Sequence, residues 1–181
     1  INVDLARRQV GYGRGGRMRI EKDQVEIVSG VRWGNTLGSP VGLIIRNRDW
    51  ENWTEKMSAD PSFADCVPPM TKPRPGHADL AGVLKYGHRD IRCALERASA
   101  RETTTRVALG AVAKKILSFF NIRIGSHVVE IGGVRAKGFS LGKLQKLSVF
   151  DEMMERAERS DLRCGDSRAE TKMREKIKEA K

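Results

Sequence analysis

Long apolar runs are missing from this chain. The longest relevant stretch, Val41-Gly42-Leu43-Ile44-Ile45, has the length of a strand, far short of the roughly 20 residues that cross a bilayer as a helix. No secretory leader with an apolar core opens the chain, so a membrane role is not expected and a cytoplasmic setting is. Cysteine is scarce: Cys66, Cys93 and Cys164 are odd in number, far apart and form no CxxC pair. That argues against a disulfide framework and a thiolate metal site, and suits ordinary thiols in a reducing compartment. Neither GxxxxGK[ST] nor GxGxxG occurs. The Gly13-x-Gly15 pair lacks a third glycine and a preceding strand, so no nucleotide cradle of those types is expected. There is no internal repeat and no low-complexity tract.

Acidic residues are the minority charge. Lys and Arg number 34 against 23 Asp and Glu, a formal net charge of +11, and 31% of residues are charged. A field of that sign attracts nucleic acid, anionic lipid or small phosphorylated and carboxylated metabolites, and composition does not choose among them. With 181 residues, 39% of them hydrophobic, the chain can build one domain with a core. It starts at Ile1 and stops in the charged stretch Glu179-Ala180-Lys181. It is therefore expected to be an interior piece of a longer protein.

The patterning mixes the two periodicities. Gly11, Gly13, Gly15 and Gly16 predict a loop over residues 7–18. Val25 and Ile27 alternate with Glu26 in a strand over Gln24–Ser29, and Val41–Ile45 reads as a buried strand. Residues 46–79 hold five of the six prolines and read as a long loop, a kind often functional. From about Asp90 to Phe120 the pattern is helical, with Leu109, Val112, Ala113, Ile116 and Phe120 on one apolar, core-facing side. Ile122, Ile124, Val128, Val129 and Ile131 suggest a strand before Gly132-Gly133. Charged helices are expected over 151–159 and 167–181, the second opened by Ser167 and Glu170 at capping-box spacing. Without a βαβ rhythm, the class is α+β.

Three constellations could carry chemistry. Arg8, Arg14 and Arg17, with Arg7 and Arg19 nearby, lie in the glycine-rich stretch. Guanidinium groups there can fork onto phosphate or carboxylate, bind nucleic acid as an RGG-type loop with Tyr12 for stacking, or merely be solvated. In Lys72-Pro-Arg-Pro-Gly-His-Ala-Asp79 the prolines stiffen the chain and present His77, the side chain suited to moving a proton near neutrality. The alternative is a polar surface histidine; His88 and His127 have no such setting and read as structural. In Glu96–Thr103, the small Ala98, Ser99 and Ala100 let a flat ligand approach a helix start flanked by Arg97 and Arg101. The bland counterpart is a capped, salt-bridged helix.

In order, the stretches RRQVGYGRGGRM (7–18), VEIVSGVRWGNTLGSPVGLIIRNRDWENW (25–53), RPGHADLAGVLKYGHRDIR (74–92), ERASARETTTRVALGAVAKKIL (96–117) and IGSHVVEIGGV (124–134) resemble the chorismate synthase family. The resemblance covers almost the whole chain and weakens within about 136–181. It implies a sandwich of antiparallel sheets around central helices, incomplete here, in a single partial domain over 1–181. Its parts would be a basic loop over 7–18, a proline-rich loop over 46–79, a signature helix over 96–120 and a charged region over 151–181.

It implies a carbon–oxygen lyase that eliminates phosphate from 5-enolpyruvylshikimate 3-phosphate to give chorismate, with reduced FMN and no net redox change. By resemblance, Arg8, Arg14, Arg17, Met18, Arg74 and Arg101 contact substrate, and Arg97, Ala98 and Ser99 form part of the flavin site. His77 protonates or hydrogen-bonds the reduced flavin. Arg8 and Arg14 are associated with NADP, which matters only if the enzyme reduces its own flavin. A homotetramer is implied, with no metal, nucleic acid or membrane partner. The family's glycine-glutamate-serine-histidine-glycine motif, with its second catalytic histidine, has no match in this chain. Neither has the family's second half, with an aspartate implicated in proton removal. The chain alone is thus expected to be inactive. The alternatives are a basic RGG-loop nucleic-acid-binding module and a structural remnant without catalysis.

Overall fold

Strand pairing follows the alternation of residues 25–29. In the computed structural model, which describes residues 1–13, 22–138 and 147–180, β1 (Val25–Ser29) runs antiparallel to β4 (Gly42–Ile45). Val25 lies opposite Ile45, Glu26 opposite Ile44 and Ile27 opposite Leu43, and the register shifts at a bulge before Ser29. Between them, β2 (Val31–Arg32) and β3 (Asn35–Thr36) form a hairpin. Its turn residues Trp33 and Gly34 both have positive φ, 51° and 78°, the mirror-image turn that matches strand twist. The ribbon corrects the expectation of a buried strand at Val41–Ile45. Ile44 and Ile27 are 41% and 47% exposed, because among the described residues this sheet has only two strands.

Contacts divide the chain into two compact units, Ile1–Leu5 with Arg19–Val112 and Ala6–Met18 with Ala113–Lys181. Helix α1 (Asn2–Gln9) carries Asp4 in its first turn and Arg7 and Arg8 in its last, the order that suits the helix dipole. The glycines begin only at Gly11, so Arg8 is helical rather than in the expected loop. Arg14, Arg17 and Met18 lie outside the described residues.

In the first unit, residues 46–78 hold two short 3-10 turns, Trp50–Asn52 and Pro61–Phe63, within the long loop read from the prolines. Then come α2 (Asp79–Tyr86), α3 (Ile91–Ala98) and α4 (Ala100–Ser118), of which residues 113–118 are counted with the second unit. Asp90 caps α3 by accepting from the Arg92 N–H at 2.9 Å. Helices α2 and α3 approach closely because Gly82 has no side chain: a Cβ there would stand 2.9 Å from that of Ala94. The predicted signature helix is therefore two helices, broken at Ser99, whose backbone is extended (φ −71°, ψ 163°). The predicted core face of α4 is also corrected. Thr104, Ala108 and Ala111 are its buried residues, while Leu109, Ile116 and Phe120 are 57%, 56% and 70% exposed.

In the second unit, β5 (Glu130–Ile131) and β6 (Val134–Arg135) form a hairpin through Gly132 and Gly133. The longer strand expected from Ile122 is absent among the described residues. Helices α5 (Leu147–Arg159) and α6 (Ser167–Glu179) follow. Ala136, Leu162, Cys164, Ala169 and Met173 form a buried cluster against which Tyr12, Val128, Ile131, Val134 and Ile177 pack. The predicted capping box gives way to Asp166, whose carboxylate accepts from the Arg168 and Ala169 N–H groups. Glu170 turns instead to Arg174, at 2.8 Å. A carboxylate one residue earlier reaches two orphan N–H groups at once. Among the described residues, no helix is long and apolar enough to cross a membrane.

Candidate active site

The proline-flanked segment ends in a tight cluster. Pro73 and Pro75 restrict the backbone around Arg74, and Gly76 supplies the positive φ (70°) that turns the chain. Asp79 is the first residue of α2 and is fully buried. A buried carboxylate requires donors, and the segment supplies them. Arg74 donates to Asp79 Oδ2 through its backbone N–H at 2.9 Å and through Nε at 3.0 Å. Arg74 Nη2 reaches Oδ1 at 3.1 Å, and His77 Nδ1 stands 2.6 Å from the same oxygen. The guanidinium beside it holds the Asp79 carboxyl far below the usual carboxylate range, and the carboxylate in turn raises the basicity of Arg74. The outward parts stay accessible: the His77 side chain is 32% exposed and that of Arg74 53%.

Arg101 and the Arg97-Ala98-Ser99 segment lie around the break between α3 and α4. Arg97 is exposed, and Ala98 and Ser99 are half-buried. The Ser99 hydroxyl accepts from the Arg101 N–H at 3.1 Å, capping α4. The Arg101 guanidinium turns inward. It pairs with Asp23 and donates to the backbone carbonyls of Ile45 (3.2 Å) and Arg46 (2.9 Å) at the end of β4. The Asp23 side chain is 1% exposed and that of Arg101 16%. Thr104 Oγ1 also faces Asp23, at 3.5 Å. Arg101 thus ties the start of α4 to the β1–β4 ribbon.

Of the residues predicted for the site, the structure brings Arg74 and His77 together and sets Arg97, Ala98, Ser99 and Arg101 at one helix break. Arg8 belongs to the second unit, in the last turn of α1. Of the two carboxylates that hold these arginines, Asp79 was noted in sequence beside His77 without a role, and Asp23 was missed. Asp79 had a visible signal, since it closes the proline-flanked segment two residues after His77. Asp23 had none, because its partner is 78 residues away.

Fold and cluster together define a mixed helix-and-sheet protein that presents an imidazole and a guanidinium on one buried carboxylate. The family model described as chorismate synthase matches residues 1–181. The chain is 56% identical over 181 residues to the chorismate synthase of Pelobacter propionicus, matching 100% of this chain and 44% of that protein. It is also 56% identical to that of a Geobacillus species over 183 residues, 100% of this chain and 46% of that protein. A solved structure titled "Crystal Structure of Chorismate Synthase" superposes with a TM-score of 0.71 at 41% identity, covering 98% of this chain and 43% of that one. The chain belongs to the chorismate synthase family. It spans less than half the length of these relatives.

Proposed function

We propose that this chain contributes to the active site of a chorismate synthase, a lyase converting 5-enolpyruvylshikimate 3-phosphate to chorismate by 1,4-anti elimination of phosphate. The observation that carries this reading is the cluster of Arg74, His77 and Asp79, which unites an anion-binding guanidinium and a proton carrier on one buried carboxylate. Arg74, with Arg8, Arg14, Arg17 and Met18, would grip the phosphate and carboxylates of the substrate by charge-assisted bonds. Arg101 would add to this, and its larger task is holding the helix break in place.

The residues present fit one edge of a flavin site. Arg97 offers an exposed cation, and Ala98 and Ser99 carry side chains too small to keep a flat ring from the backbone. Reduced FMN, when bound, supplies electron density to an elimination that has no net redox change. His77 would protonate or hydrogen-bond the reduced flavin ring. Arg8 and Arg14 would take NADPH only in an enzyme that reduces its own flavin. A homotetramer in the cytoplasm, and a complete sandwich of antiparallel sheets around central helices, are part of the same reading.

The test is turnover in the assembled enzyme with chemically reduced FMN under anaerobic conditions. His77→Ala is expected to lower kcat by about 10²-fold or more while substrate still binds, the usual scale for a lost acid–base group. Unchanged turnover would make His77 an ordinary solvent-facing side chain and remove the reading.

A further inference from the structure

We infer that Asp79 is the positioning residue of this site: it fixes the tautomer of His77 and the presented edge of Arg74 at once. The inference rests on the proposed role of His77, but its physical core does not.

An ionised carboxylate only accepts hydrogen bonds and has about four lone-pair directions. Asp79 uses all of them. Oδ2 accepts from the Arg74 backbone N–H and Nε, and Oδ1 accepts from Arg74 Nη2 and faces His77 Nδ1. No direction is left for a further donor, so Asp79 does not itself take a proton from a ligand. Asp79 accepts and cannot donate, so the 2.6 Å contact with Nδ1 requires that nitrogen to carry a hydrogen. The neutral His77 ring then has its lone pair on Nε2, and the cationic ring presents an N–H there. Nε2, which Arg74 Nη2 also faces at 3.2 Å, is thereby the ring nitrogen left to exchange a proton with a bound ligand.

The same carboxylate occupies the Nε and Nη2 edge of Arg74. That leaves Nη1 as the end of the fork available to an anion. Nη2 also lies 3.1 and 3.2 Å from the two ring nitrogens of His77. The cation and the imidazole are thus registered to each other through one buried oxygen pair. A ligand bound to Arg74 is set at a defined place relative to Nε2. A second-position carboxylate orienting a histidine is a general device of proton-transfer sites.

Asp79→Asn separates this role from simple charge. The amide oxygen keeps a partner for Arg74, and the amide NH2 faces Nδ1 as a donor. Nδ1 must then be the unprotonated nitrogen, and the hydrogen moves to Nε2. The ring nitrogens of His77 can be read directly in the ¹⁵N-labelled chain by long-range proton–nitrogen NMR at a pH where the ring is neutral. The wild-type chain is expected to show a protonated Nδ1 and an unprotonated Nε2, and Asp79→Asn the reverse. Arg74→Gln, which leaves Asp79 and His77 in place, is expected to keep the wild-type pattern. A wild-type ring protonated at Nε2 would overturn the inference, as would an Asp79→Asn chain that keeps the proton on Nδ1. An Arg74→Gln chain that loses the pattern would assign the tautomer to the arginine. Should Asp79→Asn not fold, the wild-type and Arg74→Gln spectra still decide. These spectra need neither substrate nor flavin, so failure of the proposed activity and failure of this inference are separate results.

Discussion

At the residue scale, two buried carboxylates organise the first unit, each by holding an arginine. The pH dependence of Asp79 follows from its lowered pKa, caused first by the Arg74 hydrogen bonds. A carboxyl that loses its proton more readily when folded adds stability above its unfolded value, about 3.9. That stability is lost as the pH falls through the lower folded value. Thermal melts from pH 7 downward are therefore expected to show wild type above Asp79→Asn at neutrality. The gap should close below about pH 4. A gap that widens in acid would contradict the sign. Asp23 makes a different prediction, because its main charge partner comes from far along the chain. Arg101→Ala removes that partner from a buried charge and is expected to cost about 3 kcal/mol in urea unfolding. A loss under about 1 kcal/mol, the range of an exposed pair, would mean the pair does not hold α4 to the ribbon.

At the element scale, α4 shows how a helix can be predicted correctly and its buried face wrongly. The 3.6-residue period is real, but small residues pack inward and Leu109 and Ile116 face out. Gly110 stands in the helix interior, and an added Cβ would meet nothing within 4 Å. Glycine there only adds freedom to the unfolded chain, so Gly110→Ala is expected to stabilise by about 1 kcal/mol. Leu109→Gln, at an exposed position, should stay within about 0.5 kcal/mol of wild type. Chemical denaturation of both variants checks the pair, and destabilisation by the alanine would show that something covers this face. The capping of α6 carries the same lesson at shorter range. Ser167 and Glu170 have the right spacing, but Asp166 precedes them and wins the N–H groups.

At the scale of the whole molecule, the net charge of +11 is a prediction about ligands. Compact multiply charged anions should stabilise the chain by linkage, RT ln(1 + [L]/Kd). Pyrophosphate is expected to raise the thermal midpoint by several degrees and to lose most of that effect in high salt. An RNA oligomer compared at fixed salt should bind less tightly than a phosphorylated dicarboxylate. The opposite ranking, with a steep salt slope, would favour the basic-loop reading of residues 7–18. That stretch contains Arg14, Arg17 and Met18, which lie outside the described residues.

Sequence alone determined the class, the β1 alternation, the proline-rich loop, the run of helices after residue 90 and the ordered stretches that mark the family. Each is written in local chemistry: period, φ restriction or residue type at fixed spacing. The site was legible as far as chemistry and neighbours in sequence coincide, which is why Arg74 and His77 could be named together. Only the tertiary structure decided that Asp79 is buried beneath them, that Arg101 is spent largely on Asp23, and that the signature helix breaks at Ser99. It also decided that the large apolar residues of α4 face outward. Burial and long-range pairing depend on what packs against each element, and periodicity within one element carries no record of its neighbours.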